Sequence, residues 1–217
     1  MHNNQLIYVK QGTTITAMGK DAKIEKLKSK EHGFNWLAIN NPNEDSIAYL
    51  KRHYKFHPLD LEDCLSETQR SKIDEYDDYL FIVLHIPVRG RKGQIKSSEI
   101  NIFIGKNYLL TLHEDDQTIS KDFERCRQKK KIREQYMDKG PGYLLYMIID
   151  DLFESGFPLM DEISKQINEM EKEVFGTDRS KDRLKDILLA KKDLINFRRI
   201  IMPQRAIIAQ LEHKNKK

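Results

Sequence analysis

The chain has 217 residues, and its 38 Lys and Arg nearly balance its 34 Asp and Glu, which leaves a net charge of +4. Hydrophobic residues make up 39% and charged residues 33% of the sequence, a composition typical of a folded, water-soluble domain. So small a net charge provides no general field for binding polyanions. The longest apolar run, 143–149, is far shorter than the roughly 20 residues of a membrane helix. The composition thus predicts no membrane span, secretory leader or disordered tail in this chain.

The two cysteines, Cys64 and Cys126, are far apart in the sequence and form no CxxC motif. A zinc knuckle, a redox pair and a disulfide framework are therefore not expected. Two free thiols suit a reducing cytosol.

Residues before about 115 alternate short apolar runs with turn residues, a pattern that predicts strands. The run Tyr79–Ile86 is almost continuously apolar and is predicted as a central strand buried on both faces. Two short helices, one capped by Asn43 and one from Pro58 to about Leu65, interrupt the strands and indicate an α/β layer structure. Further strands are predicted at 6–9, 14–18, 36–39, 100–104 and 108–112, with turns at 89–93 and 105–107.

Residues after about 115 show a helical pattern. The segment 116–133 is predicted as one polar, basic helix. Apolar residues over 145–174 recur at steps of three, four or seven, which predicts an amphipathic helix of roughly 30 residues. A turn at Gly176 joins it to a second long helix, in which Pro203 should produce a kink or a weak point. The two helices together predict an antiparallel hairpin.

Motifs for enzymatic chemistry are missing: the sequence contains no GxSxG, no phosphate-binding GxxxxGK[ST] and no GxGxxG, so no enzyme is expected. His53 and His57 have a spacing that could hold zinc on one helix, but Pro58 disfavours the helical conformation at His57. Two ordinary surface histidines are the preferred interpretation. The run Lys121–Arg133 carries seven Lys and Arg, and a solvated helix face is preferred to a nucleic-acid or lipid patch because only Phe123 could stack on a base.

Carboxylates, the ligands that magnesium and calcium prefer, gather at two places. Asp60, Glu62 and Asp63 crowd one turn of the second short helix, whereas Asp150 and Asp151 interrupt the apolar stripe of a long helix. A charge buried there without a partner is costly. The macrodipole also favours acidic residues at a helix start, so helix capping and metal ligation both stay open on this pattern alone.

Four blocks of sequence resemble the CorA family of magnesium transporters and follow one another in the order of that family. Together they span about residues 36–211, which makes the set specific although each block alone is weak. Ser71 is a small departure, since the family often has proline there. The blocks are His57–Asp63 (HPLDLED), Arg70–Leu84 (RSKIDEYDDYLFIVL), Tyr143–Asp150 (YLLYMIID) and Arg198–Arg205 (RRIIMPQR).

The resemblance implies an α/β fold: an α/β/α sandwich with a mostly antiparallel or mixed sheet over residues 1–133, followed by a long antiparallel helical hairpin over 134–217. CorA proteins continue into a stalk and two transmembrane helices joined by a loop with Gly-Met-Asn, and this chain carries neither the helices nor the loop. We therefore expect a cytoplasmic domain of a longer transporter, on the cytoplasmic side of the inner membrane, with the fragment itself soluble.

The resemblance also implies a homopentamer, attached to the membrane by C-terminal helices, with Mg²⁺ bound between neighbouring subunits. Co²⁺, Ca²⁺ or Zn²⁺ could take its place. Asp63 corresponds to a metal ligand of one site, and Glu62 and Asp150 resemble ligands of a second, adjacent site. A partner aspartate of the first site lies beyond Lys217 on the stalk helix, so this chain can supply only half of that site.

The expected function is sensing of intracellular Mg²⁺ by these inter-subunit carboxylates, which gates the pore. One alternative is a zinc or cobalt carrier of the same superfamily, whose soluble part looks similar. Another is a stand-alone nucleic-acid-binding module that uses Lys121–Arg133. Neither a nucleic-acid partner nor a small-molecule substrate is expected under the leading hypothesis.

Overall fold

The computed structural model describes residues 7–10, 13–18, 22–29, 33–66, 69–114, 116–174 and 181–214. Eight strands within these ranges form one sheet, in the order β1-β2-β3-β4-β8-β7-β6-β5. The strands are β1 Ile7–Lys10, β2 Thr13–Met18, β3 Ala22–Lys28, β4 Asn35–Asn40, β5 Lys72–Glu75, β6 Tyr79–Arg89, β7 Ile95–Gly105 and β8 Tyr108–His113.

The sheet is mixed and mostly antiparallel, which confirms the predicted sheet type. β4 pairs with β8 in parallel, whereas the pairs β1–β2, β2–β3, β3–β4, β5–β6 and β7–β8 are antiparallel. Gly105 lies opposite Tyr108 at the predicted β7–β8 turn. A Cβ atom at Gly105 would lie 2.5 Å from Cζ of Tyr108, so the close approach of the tyrosine ring requires glycine there.

Strand β6 is buried as predicted, but it is not central. Phe81, Ile82, Val83 and Leu84 are fully buried although successive side chains point to opposite faces of the sheet. In the strand order only β5 lies beyond β6, and β4 and β8 occupy the middle. A continuous apolar run therefore indicates cover on both faces, not distance from an edge.

Seven helices lie within the described ranges. α1 begins after a capping box, in which Asn43 Oδ1 accepts from the Ser46 amide at 2.9 Å and Ser46 Oγ accepts from the Asn43 amide at 2.8 Å. α2 begins at Pro58, as predicted. The helices are α1 Glu44–His53, α2 Pro58–Asp63, α3 Gln117–Gln128, α4 Lys130–Met137, α5 Pro141–Glu154, α6 Phe157–Val174 and α7 Lys181–Lys214.

The basic helix predicted over 116–133 is in fact two helices, α3 and α4. Lys129 between them adopts an extended backbone, with φ −115° and ψ 110°. Its amide closes α3 on the carbonyl of Arg125 at 2.9 Å, and its carbonyl accepts from the amide of Arg133 at 3.0 Å to open α4. The prediction was wrong because lysine is a good helix former and nothing in the local sequence marks a break.

The helix predicted over 145–174 is likewise two helices, α5 and α6. Gly156 lies in the break, where its amide bonds the carbonyl of Phe153 at 3.0 Å, and Pro158 occupies the first turn of α6. The apolar period continues across the break, which is why periodicity alone missed it. α7 continues through Pro203 as one helix, and the predicted turn at Gly176 lies outside the described residues.

Helices cover both faces of the sheet. Leu37 and Ile39 of β4 belong to the same core as Leu50 of α1. Trp36, which points to the opposite face of β4, packs edge-on against Phe123 of α3 with ring centroids 4.9 Å apart. These two layers of helix and the sheet between them form the predicted α/β/α sandwich.

The chain divides into two compact units, residues 1–84 with 99–152 and residues 85–98 with 153–217. In the second unit α6 and α7 run antiparallel. Arg89 contacts Glu162 near the start of α6 at 2.5 Å and Asp193 of α7 at 2.9 Å, whereas Met170 near the end of α6 lines a cavity with Asp186 near the start of α7. The predicted helical hairpin is therefore present.

Polar side chains on one face of α7 bond the backbone of the second unit. Asp193 Oδ1 accepts from the amide of Ile95 at 3.0 Å, and Asn196 Nδ2 donates to the Ile95 carbonyl at 3.3 Å. Gln204 Oε1 accepts from the amide of His85 at 3.3 Å. Backbone groups of β6 and β7 thereby find partners on α7 instead of solvent.

Candidate metal centre

α2, which carries two of the predicted ligands, begins where the sequence predicts. His57 keeps an extended backbone with φ −63° and ψ 136°, and its Nδ1 accepts a hydrogen bond from the Leu59 amide at 3.3 Å. Pro58 enforces this conformation because its ring disfavours a helical residue before it. His53 is the last residue of α1, so the two histidines considered for zinc do not share a helix.

Asp60, the first acidic residue of the turn, belongs to the core. It is 1% exposed, and its Oδ1 and Oδ2 accept from the hydroxyls of Tyr76 at 3.0 Å and Tyr79 at 2.8 Å. Burial raises the pKa of Asp60, and the two tyrosine hydrogen bonds partly oppose that rise. Because both carboxylate oxygens have protein partners, Asp60 anchors α2 and is not an open ligand.

Glu62 and Asp150 lie at the surface, where a hydrated cation could reach them. Glu62 is on α2 and Asp150 is on α5. Nowhere in the described ranges do three or more His, Cys, Asp or Glu side chains form a group that could hold a metal ion. The three predicted ligands therefore do not make a complete metal centre within one chain.

Asp63 is partly exposed and pairs with Lys72 of β5. The distance from Lys72 Nζ to Asp63 Oδ2 is 2.7 Å, and the same ammonium lies 2.6 Å from Asp74 Oδ2 and 5.3 Å from the centre of the Phe81 ring. Burial alone would lower the pKa of Lys72, but its hydrogen bonds to Asp63 and Asp74 raise that pKa overall. Lys72 therefore stays charged and supplies the cation that Asp63 holds in this structure.

Further carboxylates surround the end of α2. Glu99 accepts from the amide of Gln69 and from Asn101 Nδ2, both at 3.1 Å. The pKa of the buried Cys64 thiol is raised well above its ordinary value, first by burial and then by the negative charges of Asp60, Asp63 and Glu99. The surroundings thus favour cations, while the Cys64 thiol stays protonated and is a poor metal ligand.

Asp151, next to Asp150 on α5, points into the protein. Its Oδ2 accepts a hydrogen bond from the Tyr136 hydroxyl of α4. Asp122 of α3 is 5% exposed and accepts from Arg125 at 3.0 Å. Burial first, and then the negative charge of Asp151 and a hydrogen bond to it, raise the pKa of Asp122 to about 7. This cluster ties α5 to α3 and α4, so Asp150 is held on the outer side of α5.

Four residues that hold the candidate ligands or their neighbours in place are not identified from the sequence: Lys72, Asp74, Asp122 and Tyr136. For the first two a signal was present: residues two apart in a strand point to the same face, so a strand assigned at 72–75 would have placed Lys72 beside Asp74. The Asp122 cluster joins three helices and has no such local signal.

The basic run Lys121–Arg133 is partly neutralised within the chain. Arg125 pairs with Asp122, Arg127 with Glu124, and Lys130 with Glu134. Three of its seven cations thus have acidic partners, a pattern typical of a solvated helix face. Binding of nucleic acid by this run stays an untested alternative.

The α/β/α layers and the helical hairpin are a fold shared with solved domains of CorA and ZntB. The sequence model described as "CorA-like Mg2+ transporter protein" matches residues 31–217. Since this match covers well over half of the sequence, the chain belongs to the CorA-like Mg²⁺ transporter family.

A curated relative agrees with this membership, and two solved structures share the fold. YfjQ of Bacillus subtilis (strain 168), a protein named for metal ion transport, is 31% identical over 204 residues, which cover 92% of this chain and 60% of YfjQ. The soluble domain of CorA from Methanocaldococcus jannaschii superposes with a TM-score of 0.69 at 24% identity, over 81% of this chain and 69% of that one. The cytoplasmic domain of ZntB from Vibrio parahaemolyticus RIMD 2210633 gives a TM-score of 0.64 at 19% identity, over 91% and 77%.

The structural matches show the fold, and the chain spans 60% of the length of YfjQ. Across the described ranges, no helix combines the length and the apolarity that crossing a membrane requires.

Proposed function

We propose that this chain is the cytoplasmic regulatory domain of a divalent-cation transporter of the inner membrane, and that Mg²⁺ binding at Asp63 closes the pore. The observation that carries the proposal is the partly exposed Asp63 carboxylate, which lies beside the exposed Glu62 in surroundings made negative by Asp74 and Glu99. Mg²⁺ prefers carboxylate oxygens and keeps several of its waters, so one or two ligands from each chain suffice.

The proposed mechanism is feedback by Mg²⁺ in a homopentamer. Two unit charges about 4 Å apart near a protein surface repel each other by about 4 kcal/mol, so facing carboxylates of neighbouring subunits push the interface apart. A bound Mg²⁺ replaces that repulsion by attraction. Because the cation then binds the closed arrangement better, high cytoplasmic Mg²⁺ shifts the population towards closed.

The proposal assigns Asp63 to one inter-subunit site and Glu62 with Asp150 to a second. In it, the α/β part of residues 1–133 senses Mg²⁺ together with α5, and the α6–α7 hairpin leads towards the stalk and the membrane. The Asp122–Asp151 cluster supports the role of Asp150, because it keeps the neighbouring carboxylate on the outer side of α5.

Exposed apolar side chains on α7 support an assembly with further copies of this chain. Leu188, Leu189, Ile195 and Met202 are each more than half exposed, although burying such side chains is favourable. Groups of exposed apolar residues mark interaction surfaces. We assign this surface to the homopentamer.

A zinc carrier is the second candidate, because the ZntB domain shares the fold. The donor atoms favour magnesium over zinc. Structural zinc sites use histidine and cysteine, whereas the three assigned ligands are carboxylates. Of the nearby donors, Cys64 is buried with a raised pKa, and His57 already accepts a hydrogen bond from the Leu59 amide.

The test is Asp63→Ala in the full-length transporter, reconstituted in vesicles and assayed by cation flux against Mg²⁺ on the cytoplasmic side. We expect the Mg²⁺ concentration for half-closure to rise about tenfold, within the usual range of coupling between sites, while the choice of transported ion stays the same. Asp77→Ala, which removes an equal charge from an exposed turn, is the matched control. Unchanged closure in Asp63→Ala would remove Asp63 from the mechanism.

A further inference from the structure

Lys72 occupies the carboxylate that the proposed Mg²⁺ has to bind. We propose that Lys72 is a built-in competitor of the divalent cation, and that it sets the concentration at which the Asp63 site fills. This inference rests on the proposed function and adds a residue that determines the threshold of the sensor. Its basis is the geometry of Lys72, Asp63 and Asp74.

The Lys72 ammonium is held between two carboxylates. Nζ lies 2.7 Å from Asp63 Oδ2 and 2.6 Å from Asp74 Oδ2, both within charge-assisted hydrogen-bond distance. β5 fixes this arrangement, because Lys72 pairs with Val83 and Asp74 with Phe81 in the antiparallel register with β6. Lys72 and Asp74 thus project from the same face of the strand, with the ammonium over the Phe81 ring.

A dication that approaches Asp63 is repelled by the Lys72 ammonium, which already offsets the charge of that carboxylate. The cation gains the full charge of Asp63 only when the Asp63–Lys72 contact breaks. Asp74 makes this exchange feasible, because Lys72 can leave Asp63 and remain paired. The net cost of filling the site is therefore the loss of one ion pair, which is modest for partly exposed groups.

Asp74 distinguishes competition by Lys72 from a purely structural role of Lys72, because changes at the two residues should shift the Mg²⁺ midpoint in opposite directions. Removal of the Lys72 charge frees Asp63, so the cation should bind at lower concentration. Removal of the Asp74 charge leaves Lys72 with Asp63 as its remaining carboxylate, so the cation should bind only at higher concentration. If Lys72 merely stabilised β5, both changes would lower the stability of the fold. They would then not shift the Mg²⁺ midpoint in opposite directions.

The experiment measures the half-closing Mg²⁺ concentration of the full-length transporter by flux. Lys72→Met should lower this concentration about fivefold, the size of effect expected from losing a partly exposed ion pair. Asp74→Asn should raise the concentration. Lys72→Arg, which keeps the charge, should stay within about twofold of the wild type. The control is Lys55→Met, which removes the same charge from an exposed position and should leave the midpoint unchanged.

The Asp63→Ala background separates this inference from the function on which it rests. If Asp63→Ala does not alter closure, the proposed function fails. If Asp63→Ala weakens closure but Lys72→Met leaves the midpoint in place or raises it, only the competitor role fails. An equal shift from Lys72→Met with and without Asp63 would also overturn it, because contacting residues must be coupled. Melting temperatures without Mg²⁺ confirm that each variant folds.

Discussion

Asp150 and Asp151 are neighbours on α5, but the first side chain faces solvent and the second points into the protein. Successive residues on a helix are about 100° apart, so Asp150 faces outward while Asp151 reaches the Tyr136 hydroxyl. The same division occurs on α2, where Asp60 is buried and Glu62 is exposed. Inward carboxylates have hydrogen-bond partners that offset their burial, and outward ones are left available to cations.

The Asp122–Asp151 pair should make the stability of the fold depend on pH. The folded-state pKa of Asp122 is about 7, above its ordinary value of 3.8, so the folded state holds a proton that the unfolded state releases. Stability from this group is therefore present at low pH and is lost as the pH rises through about 7. Between about pH 6 and about pH 8 we expect the free energy of unfolding to fall by about 1 kcal/mol.

Asp122→Asn imitates the protonated carboxyl, since its amide can donate to Asp151 and its oxygen can accept from Arg125. Urea unfolding of wild type and variant at both pH values isolates the contribution of this group from that of the histidines. The variant should be the more stable protein at the higher pH. Its free energy of unfolding should fall much less than that of the wild type between the two pH values. An identical pH dependence in both proteins would contradict the assigned proton.

The candidate site could be predicted from the sequence only in part. The carboxylates at Glu62, Asp63 and Asp150 can be proposed from the sequence, because a turn rich in acidic residues and a motif are local features. Their electrostatic partners were not found. Lys72 reaches Asp63 across the gap between a helix and a strand, and no spacing in the sequence reports such a contact.

At the scale of elements, local rules located the pieces and tertiary contacts decided where they stop. The helix cap at Asn43, the start at Pro58 and the turn at Gly105 rest on backbone chemistry of a few residues, and all three were predicted. β3 and β5 were missed because charged side chains interrupt their apolar pattern. The break at Lys129 has no local signal at all.

α7 depends on Asp193 for its attachment within the second unit. Asp193 accepts from the Ile95 amide and from Arg89, and its side chain is 13% exposed. Asp193→Ala leaves that amide and that guanidinium short of an acceptor, which should cost about 1–3 kcal/mol. Hydrogen exchange at the Ile95 amide should become at least about tenfold faster, as a loss of about 1.4 kcal/mol implies.

The matched control for this change is Asp186→Ala, which makes the same substitution at an exposed position of α7. Its effect on unfolding should stay within about 0.5 kcal/mol. Equal exchange rates at Ile95 in wild type and in Asp193→Ala would show that α7 is held in place by its apolar contacts instead.

The whole molecule combines a well-packed α/β unit with a long helix that leaves apolar side chains exposed. The larger unit buries its core between two layers of helix, whereas α7 leaves Leu188, Ile195 and Met202 exposed. The chain also spans only 60% of YfjQ, the relative it matches over 92% of its own length. Cation binding to the isolated chain should therefore be weak, because the proposed sites lie between subunits and take part of their ligands from neighbouring chains.

Weak binding still has a measurable effect on the isolated 217-residue chain. A ligand that binds only the folded state stabilises it by RT ln(1 + [L]/Kd), about 0.4 kcal/mol at [L] equal to Kd and about 1.4 kcal/mol at ten times Kd. We expect millimolar Mg²⁺ to raise the melting temperature by an amount that corresponds to a stabilisation within these limits. NaCl at equal ionic strength is the control for charge screening. Asp63→Ala should lose the Mg²⁺-specific part, whereas Asp77→Ala should keep it. Equal stabilisation by Mg²⁺ in wild type and Asp63→Ala would show that the cation acts elsewhere on the chain.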